Sequence, residues 1–408
     1  MPANFLHGVE TVELTKGTTT VRTVKTAIIG LVGTAPINDV DAEYKSINEP
    51  ILITKEEDAT LYFGKHKAGF TIPQALKAIF DQGAGTIIVV NVFDPSVHES
   101  PEDVELKDIV GSVETLTGKR TGLRAFEDSY SLFGFYPKTI IAPVYSEDQV
   151  IVDEINKVCK KIRAIGIVDA PVGTTVQDAI KGRGTSKINF NINSDRVVLC
   201  YPHIKVYDYD LQEIKLEPFS QRLAGVIAVK DNEKGYHWSP SNTVIQGVLG
   251  TEKNLTSMIN DPQSEVNLLN EAGILTVFNS YGTGFRTWGN RSSAYPSSSL
   301  ATNFINIRRV ADILHESVEY AMLDYIDCPI DEGLIDSVCE TVNQYIRNLI
   351  GRGALIDGKC SFNSDKNSAD EIAKGHLIFD IEFMPPTPCE RITFESFVNT
   401  ELLKALVE

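Results

Sequence analysis

The chain has 408 residues, of which 42% are hydrophobic, so it is long enough to bury two or three cores and is not intrinsically disordered. Its 55 aspartates and glutamates outnumber its 38 lysines and arginines, which gives a formal net charge of −17 at pH 7. An acidic surface without a basic block repels nucleic acid and anionic lipid. Direct binding of nucleic acid and insertion into a membrane are therefore not expected.

Cysteine usage and the first residues bear on the compartment. The six cysteines include no C-x-x-C pair and have no histidine at zinc spacing. They are Cys159, Cys200, Cys328, Cys339, Cys360 and Cys389. The first residues show no basic segment followed by an apolar run, and no apolar run approaches the roughly 18 residues that cross a bilayer. We therefore expect reduced thiols and folding in a cytoplasm.

The N-terminal quarter predicts an arm followed by a β-α-β unit. Residues 1–24 hold too few apolar side chains for a core and are predicted to be an extended arm, in which residues 18–25, rich in Thr and Val, favour a strand. A continuous apolar run at 27–33 predicts a strand buried on both faces. An amphipathic pattern predicts a helix over 72–80, and a second apolar run predicts a buried strand over 86–92. Such a unit favours parallel strands.

The same alternation continues through the middle of the chain. The predicted elements are strands at 138–142, 165–170 and 196–201 and helices at 148–164 and 176–182. This pattern predicts an α/β domain with a mainly parallel sheet over 25–285. The polar residues 95–104 favour a linker or surface loop, and residues 231–241 favour an irregular loop.

Residues 266–292 are the most informative stretch. A helix there runs into a buried strand and then into a glycine-rich turn that carries Trp288. Next to Phe285 and glycines, Trp288 is interpreted as a core anchor rather than a stacking platform. Arg286 and Arg291 flank it and either bind a carboxylate at a subunit contact or lie in water.

Residues 286–389 predict a smaller α+β domain. A long helix with one apolar face covers 303–325. A second helix covers 331–350, with acidic residues early and arginines late, as the helix dipole favours. Strand-like runs follow at 354–356, 377–383 and 392–398.

The C-terminal arm, residues 390–408, begins after a Pro-Pro-Thr-Pro run at 385–388 that prevents an uninterrupted ladder. Ile392, Phe394 and Val398 share one face of this segment. A strand with unpaired backbone groups is suited to β-augmentation of a neighbouring molecule. From the residues alone, the alternative is that both arms pair within their own chain.

These motifs, in this order, resemble those of contractile tail sheath proteins, the subunits of myovirus tails, bacteriocin tails and related injection machines. The resemblance rests on residues 5–10 and 21–36, on 266–292, and on 376–403. It implies a structural protein whose copies form hexameric rings stacked helically around a tail tube and contract on a trigger from the baseplate. The implied partners are other copies, the tail tube protein, and baseplate and tail terminator proteins. The implied location is the tail sheath of a virion or headless particle, assembled in the bacterial cytoplasm.

The resemblance also assigns roles to residues. It makes 25–285 the outer domain and 286–389 the inner domain that faces the tube and polymerises. The arms 10–24 and 390–400 become strands donated to neighbours, and 354–362 with 377–383 becomes the acceptor sheet. The implied interface residues are Thr18, Val21, Val24, Ile392, Phe394 and Val398. The tube-contact candidates are Gln344, Arg347, Asn348 and Arg352, for which dipole complementation in solvent is the alternative role, and Arg308 and Arg309 are the alternative contact.

The sequence offers little for catalysis. It has no G-x-x-x-x-G-K-[ST] phosphate loop and no G-x-S-x-G nucleophile elbow, and Gly282 and Gly284 favour a turn. Asp208 and Asp210 begin like a calcium loop, but Glu213 stands where glycine is expected. The seven histidines have no metal-ligand spacing. We expect no catalytic residue, cofactor or metal. The alternatives are an α/β enzyme with a site at the strand C-termini and a non-contractile tail adaptor.

Overall fold

The computed structural model describes residues 21–184, 188–209, 212–280, 282 and 284–406. Its strands are β1 (Ile29–Gly33), β2 (Ile51–Ile53), β3 (Ile87–Asn91), β4 (Thr139–Ile141), β5 (Ile165–Asp169), β6 (Val197–Cys200), β7 (Ile204–Asp208), β8 (Glu213–Glu217), β9 (Val248–Thr251), β10 (Ile274–Ser280), β11 (Gly284–Trp288), β12 (Asp357–Phe362) and β13 (Phe379–Met384). Its α-helices are α1 (Glu56–Phe63), α2 (Ile72–Phe80), α3 (Leu106–Val110), α4 (Ser129–Phe133), α5 (Gln149–Ile162), α6 (Val176–Lys181), α7 (Phe219–Glu233), α8 (Glu265–Glu271), α9 (Ile305–Met322), α10 (Glu332–Gly351) and α11 (Ala369–Ala373).

The described residues form an eight-stranded sheet with the order β11-β10-β6-β5-β4-β1-β3-β2. The strands from β10 to β3 run parallel, whereas β11 and β2 are antiparallel edge strands. β1, β3, β4 and β5 are buried along their whole length, as expected for apolar strands of a sheet covered on both faces. The predicted α/β domain with a mainly parallel sheet is thereby confirmed.

Helices α5 and α7 cover the central strands. The Asp148 carboxylate caps α5 by accepting from the Val150 N–H at 2.8 Å, and the apolar face of α5 packs on β4 and β5. Helix α7 packs on β1, β4 and β5 and lies close to α2. Gly225 permits this approach, because a Cβ there would lie 2.8 Å from Gln82 Cγ. The strands and these helices enclose the first core.

A smaller antiparallel sheet with the order β8-β7-β9 adjoins the first core. Residues along β7 alternate between buried and exposed, so Ile204 and Val206 reach the first core. The outer face of this sheet leaves Tyr207, Ile214 and Leu216 exposed. This sheet is not among the predicted elements.

The C-terminal part of the chain builds a second core. One face of α9, including Val310 and Leu314, packs against Val342 and Ile346 of α10. β12 and β13 pair antiparallel and form the C-terminal sheet, whose β12 packs on α10. Gly358 allows the close contact, since a Cβ there would lie 3.0 Å from Ile346 Cγ2.

The polar side of α9 faces the first core through buried ion pairs. The Arg196 guanidinium binds the Asp312 carboxylate through two hydrogen bonds of 2.6 and 2.7 Å. Further pairs of this kind are Arg309–Asp231 and Lys138–Glu316. Helix α9 therefore shares its surface between two cores, with apolar contacts to one and charged contacts to the other.

Several predicted elements differ from the structure. Residues 354–356 precede β12 instead of forming a strand, although Ala354 and Leu355 are buried in the second core. Asp231 ends up within α7, so the predicted loop at 231–241 begins only after Glu233. Residues 392–398 form no strand in the single chain.

Candidate assembly interface

In the C-terminal arm, residues 391–399 form no helix or strand and expose their apolar side chains, and Thr400–Leu406 forms a short 3-10 helix. Phe394 is 89% exposed, Val398 is 94% exposed, and Ile392 is also largely exposed. Phe397, on the opposite face of the segment, is exposed as well. Single exposed apolar residues are ordinary, but a row of them on a segment without a strand partner marks a surface that another element can cover.

The base of the C-terminal arm is held by an ion pair. Arg291 Nε and Nη2 donate to the two Glu390 carboxylate oxygens at 3.0 and 2.6 Å. The same guanidinium lies over the ring of Phe304, 4.0 Å from its centroid, and near the ring of Tyr295. Arg291 therefore binds a carboxylate of its own chain, and its binding of a carboxylate at a subunit contact stays a prediction. This ion pair attaches the C-terminal arm to its own chain at Glu390, and the apolar residues that follow it are exposed.

The two edges of the C-terminal sheet differ. The Asn343 side chain of α10 donates to the Cys360 carbonyl at 2.9 Å and accepts from the Cys360 N–H at 2.8 Å. Cys360 thus turns its backbone polar groups away from β13 and toward α10. Its partner Ile381, and by alternation Phe379 and Phe383, turn theirs away from β12. In the described part of the chain no strand lies beside this outer edge of β13.

The first described residues are docked on their own second core. Val21 is buried there at 7% exposure, and Val24 packs at its border. The Val24 N–H donates to Ser317 Oγ at 3.2 Å, and the Thr23 and Tyr345 hydroxyls lie 3.1 Å apart. Thr18 lies outside the described residues.

The predicted tube-contact residues share one exposed face of α10. Gln344, Arg347, Asn348 and Arg352 are all exposed, while Tyr345 and Ile346 between them are buried. Arg347 is ion-paired with the exposed Glu340 two turns earlier. The structure therefore brings these side chains together on one surface.

Arg308 and Arg309, the alternative tube contact, both form ion pairs within the chain. Arg309 is buried with Asp231, and Arg308 binds Asp195 and Asp312 at 3.2 and 2.9 Å. Both guanidiniums are committed to ion pairs at the joint between the cores.

A buried polar cluster lies at the carboxyl ends of β5 and β6, where α/β enzymes place their sites. Asp169 is buried, and one of its oxygens accepts from the Ser220 N–H at 2.8 Å. Burial raises the pKa of Asp169. His203 Nε2 lies 3.3 Å from Glu147. Burial would lower the pKa of His203, but the Glu147 hydrogen bond and the surrounding carboxylates outweigh it and raise that pKa.

Other predicted features have structural partners. Trp288 stacks on Phe278 at 4.5 Å between ring centroids. Asp208 is buried and binds Lys215 at 2.6 Å, whereas Asp210 lies outside the described residues.

No group of His, Cys, Asp or Glu that could hold a metal ion occurs among the described residues. Within the same ranges, no helix has both the length and the apolar character needed to span a bilayer.

Two family models match the chain. One is described as the phage tail sheath protein central domain and matches residues 118–293. The other is described as the phage tail sheath C-terminal domain and matches residues 297–399. The second match includes α9, α10, the C-terminal sheet and most of the C-terminal arm.

Individual proteins match over nearly the whole length. The chain is 41% identical to the tail sheath protein of Burkholderia phage BcepMu, covering 100% of this chain and 99% of that protein. It is 29% identical to the tail sheath protein of Escherichia phage P2, covering 99% and 98%. The contracted helical sheath of the anti-feeding prophage has a TM-score of 0.70 at 18% identity, covering 97% of this chain and 100% of that chain. The contracted PVC sheath, from an extracellular contractile injection system, has a TM-score of 0.68 at 16% identity, covering 98% and 100%. These structural matches show a shared fold.

Proposed function

This chain belongs to the phage tail sheath protein family, and from that premise we propose that it polymerises as a helical tube around a tail tube and contracts to drive that tube through a cell envelope. The observation that carries the assembly mechanism is a C-terminal arm with exposed apolar residues on the same chain as a two-stranded sheet with an open edge. The arm of one copy can add a strand to the open sheet edge of another copy.

The C-terminal arm is the donor and the outer edge of β13 is the acceptor. Asn343 occupies the backbone groups of Cys360 on β12, which leaves β13 as the edge that a strand can join. Main-chain hydrogen bonds give such a joint its strength, and alternate side chains give it its register. Ile392, Phe394 and Val398 then cover the second core of a neighbouring subunit. The Arg291–Glu390 pair sets where the arm leaves its own subunit.

The last residues of the N-terminal arm are anchored on the second core of their own chain. Val21 and Val24 pack on that core in the single chain, which supports a donated segment that ends before Val21 and includes Thr18. In this proposal both arms link each subunit to neighbours in adjacent rings. Such a mesh stays connected when the rings move during contraction.

The exposed face of α10 contacts the tube. A sheath must hold its tube yet slide along it, and exposed ion pairs contribute only about 0 to 1 kcal/mol each, so a few charged contacts suit that task better than an apolar seal. Arg347 and Arg352 supply positive charge on a chain whose net charge is −17. The remaining proposed partners are baseplate and tail terminator proteins at the two ends of the sheath, with assembly in the host cytoplasm.

Electron microscopy of the purified full-length chain tests this proposal. We expect self-assembly into hollow tubes of helically stacked rings. A variant truncated after Pro388 should stay soluble and folded, with an unchanged circular dichroism spectrum, and should form no tubes. Small closed oligomers of the full-length chain would indicate the enzyme alternative and a single ring would indicate an adaptor. Either result would contradict the proposal.

A further inference from the structure

Two thiols meet where α10 packs on the C-terminal sheet. Cys339, on α10, is half-buried, and Cys360, on β12, is buried in the second core. Cys339 packs against the second core, to which Cys360 belongs, and each thiol shifts the pKa of the other. One turn later on α10, Asn343 binds both backbone groups of Cys360. These contacts fix the register of the helix against the strand one turn from Cys339.

We propose that Cys339 and Cys360 are a modification site that forms an intramolecular disulfide with oxidised glutathione. The bond joins α10 to β12, so it closes a loop that contains the second half of α10. The other described cysteines lie elsewhere. Cys159 and Cys200 are on α5 and β6 in the first core, and Cys328 and Cys389 are exposed on loops.

The exchange begins at Cys339 because it is the more accessible thiol. Its thiolate attacks one sulfur of oxidised glutathione, which forms a mixed disulfide and releases one glutathione thiolate. The Cys360 thiolate then attacks the Cys339 sulfur and displaces the second glutathione thiolate. The two protein thiols lose two electrons and two protons, and two molecules of reduced glutathione form.

The surroundings make this exchange slow at neutral pH. Burial raises the pKa of the Cys360 thiol to about 12, and burial also raises the pKa of Cys339. Since the thiolate is the attacking species, the rate should rise with pH through the alkaline range. The bond would therefore form gradually, after the sheet has folded.

The consequence for the particle rests on the proposed function. If the outer edge of β13 accepts a neighbour's arm, pulling forces in the sheath act on the C-terminal sheet. Disulfides rarely persist in a reducing compartment. Once the particle has left such a compartment, the bond would link that sheet covalently to α10. Closing the loop also restricts the unfolded chain.

Mass spectrometry of the purified full-length chain tests the site without reference to polymerisation. After incubation with oxidised glutathione at mildly alkaline pH, we expect a peptide pair joined through Cys339 and Cys360 that dithiothreitol separates. The oxidised protein should also melt roughly 5 °C higher than the reduced protein. Cys339→Ser should abolish the joined pair, and the matched control Cys389→Ser should retain it.

Three results would overturn the proposal. They are a glutathione adduct that persists on Cys339, a cross-link that joins either cysteine to another partner, and unchanged cross-linking in Cys339→Ser. Circular dichroism of each serine variant verifies that it is folded. In addition, the wild-type protein alone decides the question, because the absence of a Cys339–Cys360 peptide after exhaustive oxidation contradicts the inference whatever the variants do. A protein that makes tubes but lacks this bond would leave the sheath function standing.

Discussion

His203 lies between two carboxylates, with Nε2 at 3.3 Å from Glu147 and Nδ1 at 3.9 Å from Glu252. These contacts, with Asp169 nearby, raise the pKa of His203 above its ordinary value of 6.5 despite its burial. The protonated imidazole is therefore favoured in the folded state. Its contribution to stability is complete below pH 6.5 and is lost as the pH rises through the folded-state pKa.

A pH series of thermal melts tests this account of His203. We expect the melting temperature of the wild-type chain to fall as the pH rises above about 6.5, and His203→Gln to flatten that dependence. Asp169, whose pKa is also raised, acts in the same direction but from a lower pH. His376→Gln is the control, because His376 is exposed. An unchanged slope in His203→Gln would show that another group governs this pH range.

Arg347 and Arg352 lie on the exposed face of α10, where reversing their charge should not disturb the second core. We expect Arg347→Glu with Arg352→Glu to form tubes of sheath alone but to lose assembly in the extended form on purified tail tubes. Pelleting with tubes and electron microscopy would measure both. The control, Lys107→Glu with Lys374→Glu, makes the same change in net charge at other exposed lysines. Tube-templated assembly that survives in the α10 variant would remove this face from the tube contact.

At the scale of elements, the C-terminal arm contains a segment, residues 392–398, that forms no strand in the single chain. Phe394→Asp should leave folding intact because the side chain is exposed in the single chain. In the polymer it would bury an unpaired carboxylate at each joint, at a cost of several kcal/mol. We therefore expect monomeric, folded protein by analytical ultracentrifugation. Thr393→Asp, which adds the same charge on the opposite face of the segment, should still assemble. Equal loss of assembly in both variants would argue against strand donation with this orientation.

Elements whose apolar residues recur with a clear helical or strand period could be predicted from the sequence. Elements without such a period could not. Helix α2 has the predicted limits, 72–80, because its apolar residues keep a helical spacing next to a proline in the first turn. Helix α7 is absent from the prediction because it is buried nearly all round, so no polar face marks its period. The alternating pattern at 392–398 predicts a strand, but an isolated segment has no ladder to join.

Only part of the candidate interface could be predicted from the sequence. The exposed side of α10 follows from helical spacing alone, so Gln344, Arg347 and Asn348 fall on one surface as expected. The Arg291–Glu390 pair and the Asn343–Cys360 contacts depend on how distant elements pack, since the first joins residues 99 positions apart. Neither local propensity nor periodicity contains that information. The choice of β13 as the open edge rests on the Asn343 contacts and could only come from the structure.

At the scale of the whole molecule, charged contacts join the two cores. Asp312 receives two hydrogen bonds from Arg196 and one from Arg308, and it is buried. A buried pair of this kind adds little net stability compared with apolar packing, but removing one partner leaves an uncompensated charge. Such a joint tolerates little change in geometry, so it favours transmission of force between the cores without relative movement.

Asp312→Asn tests the joint while keeping the size of the side chain. The amide cannot balance the charges of Arg196 and Arg308, so we expect a loss of about 3 to 5 kcal/mol in the free energy of unfolding. Arg163→Gln is the matched control at the same joint, because its partner Glu319 is largely exposed and the pair should contribute less than about 1 kcal/mol. Differential scanning calorimetry should show a single transition in the wild-type chain and a separate, earlier transition of the second core in Asp312→Asn. If both variants shift the melting temperature equally, the buried ion pairs do not couple the cores, and apolar contacts such as that of Ile305 with the first core must do so instead.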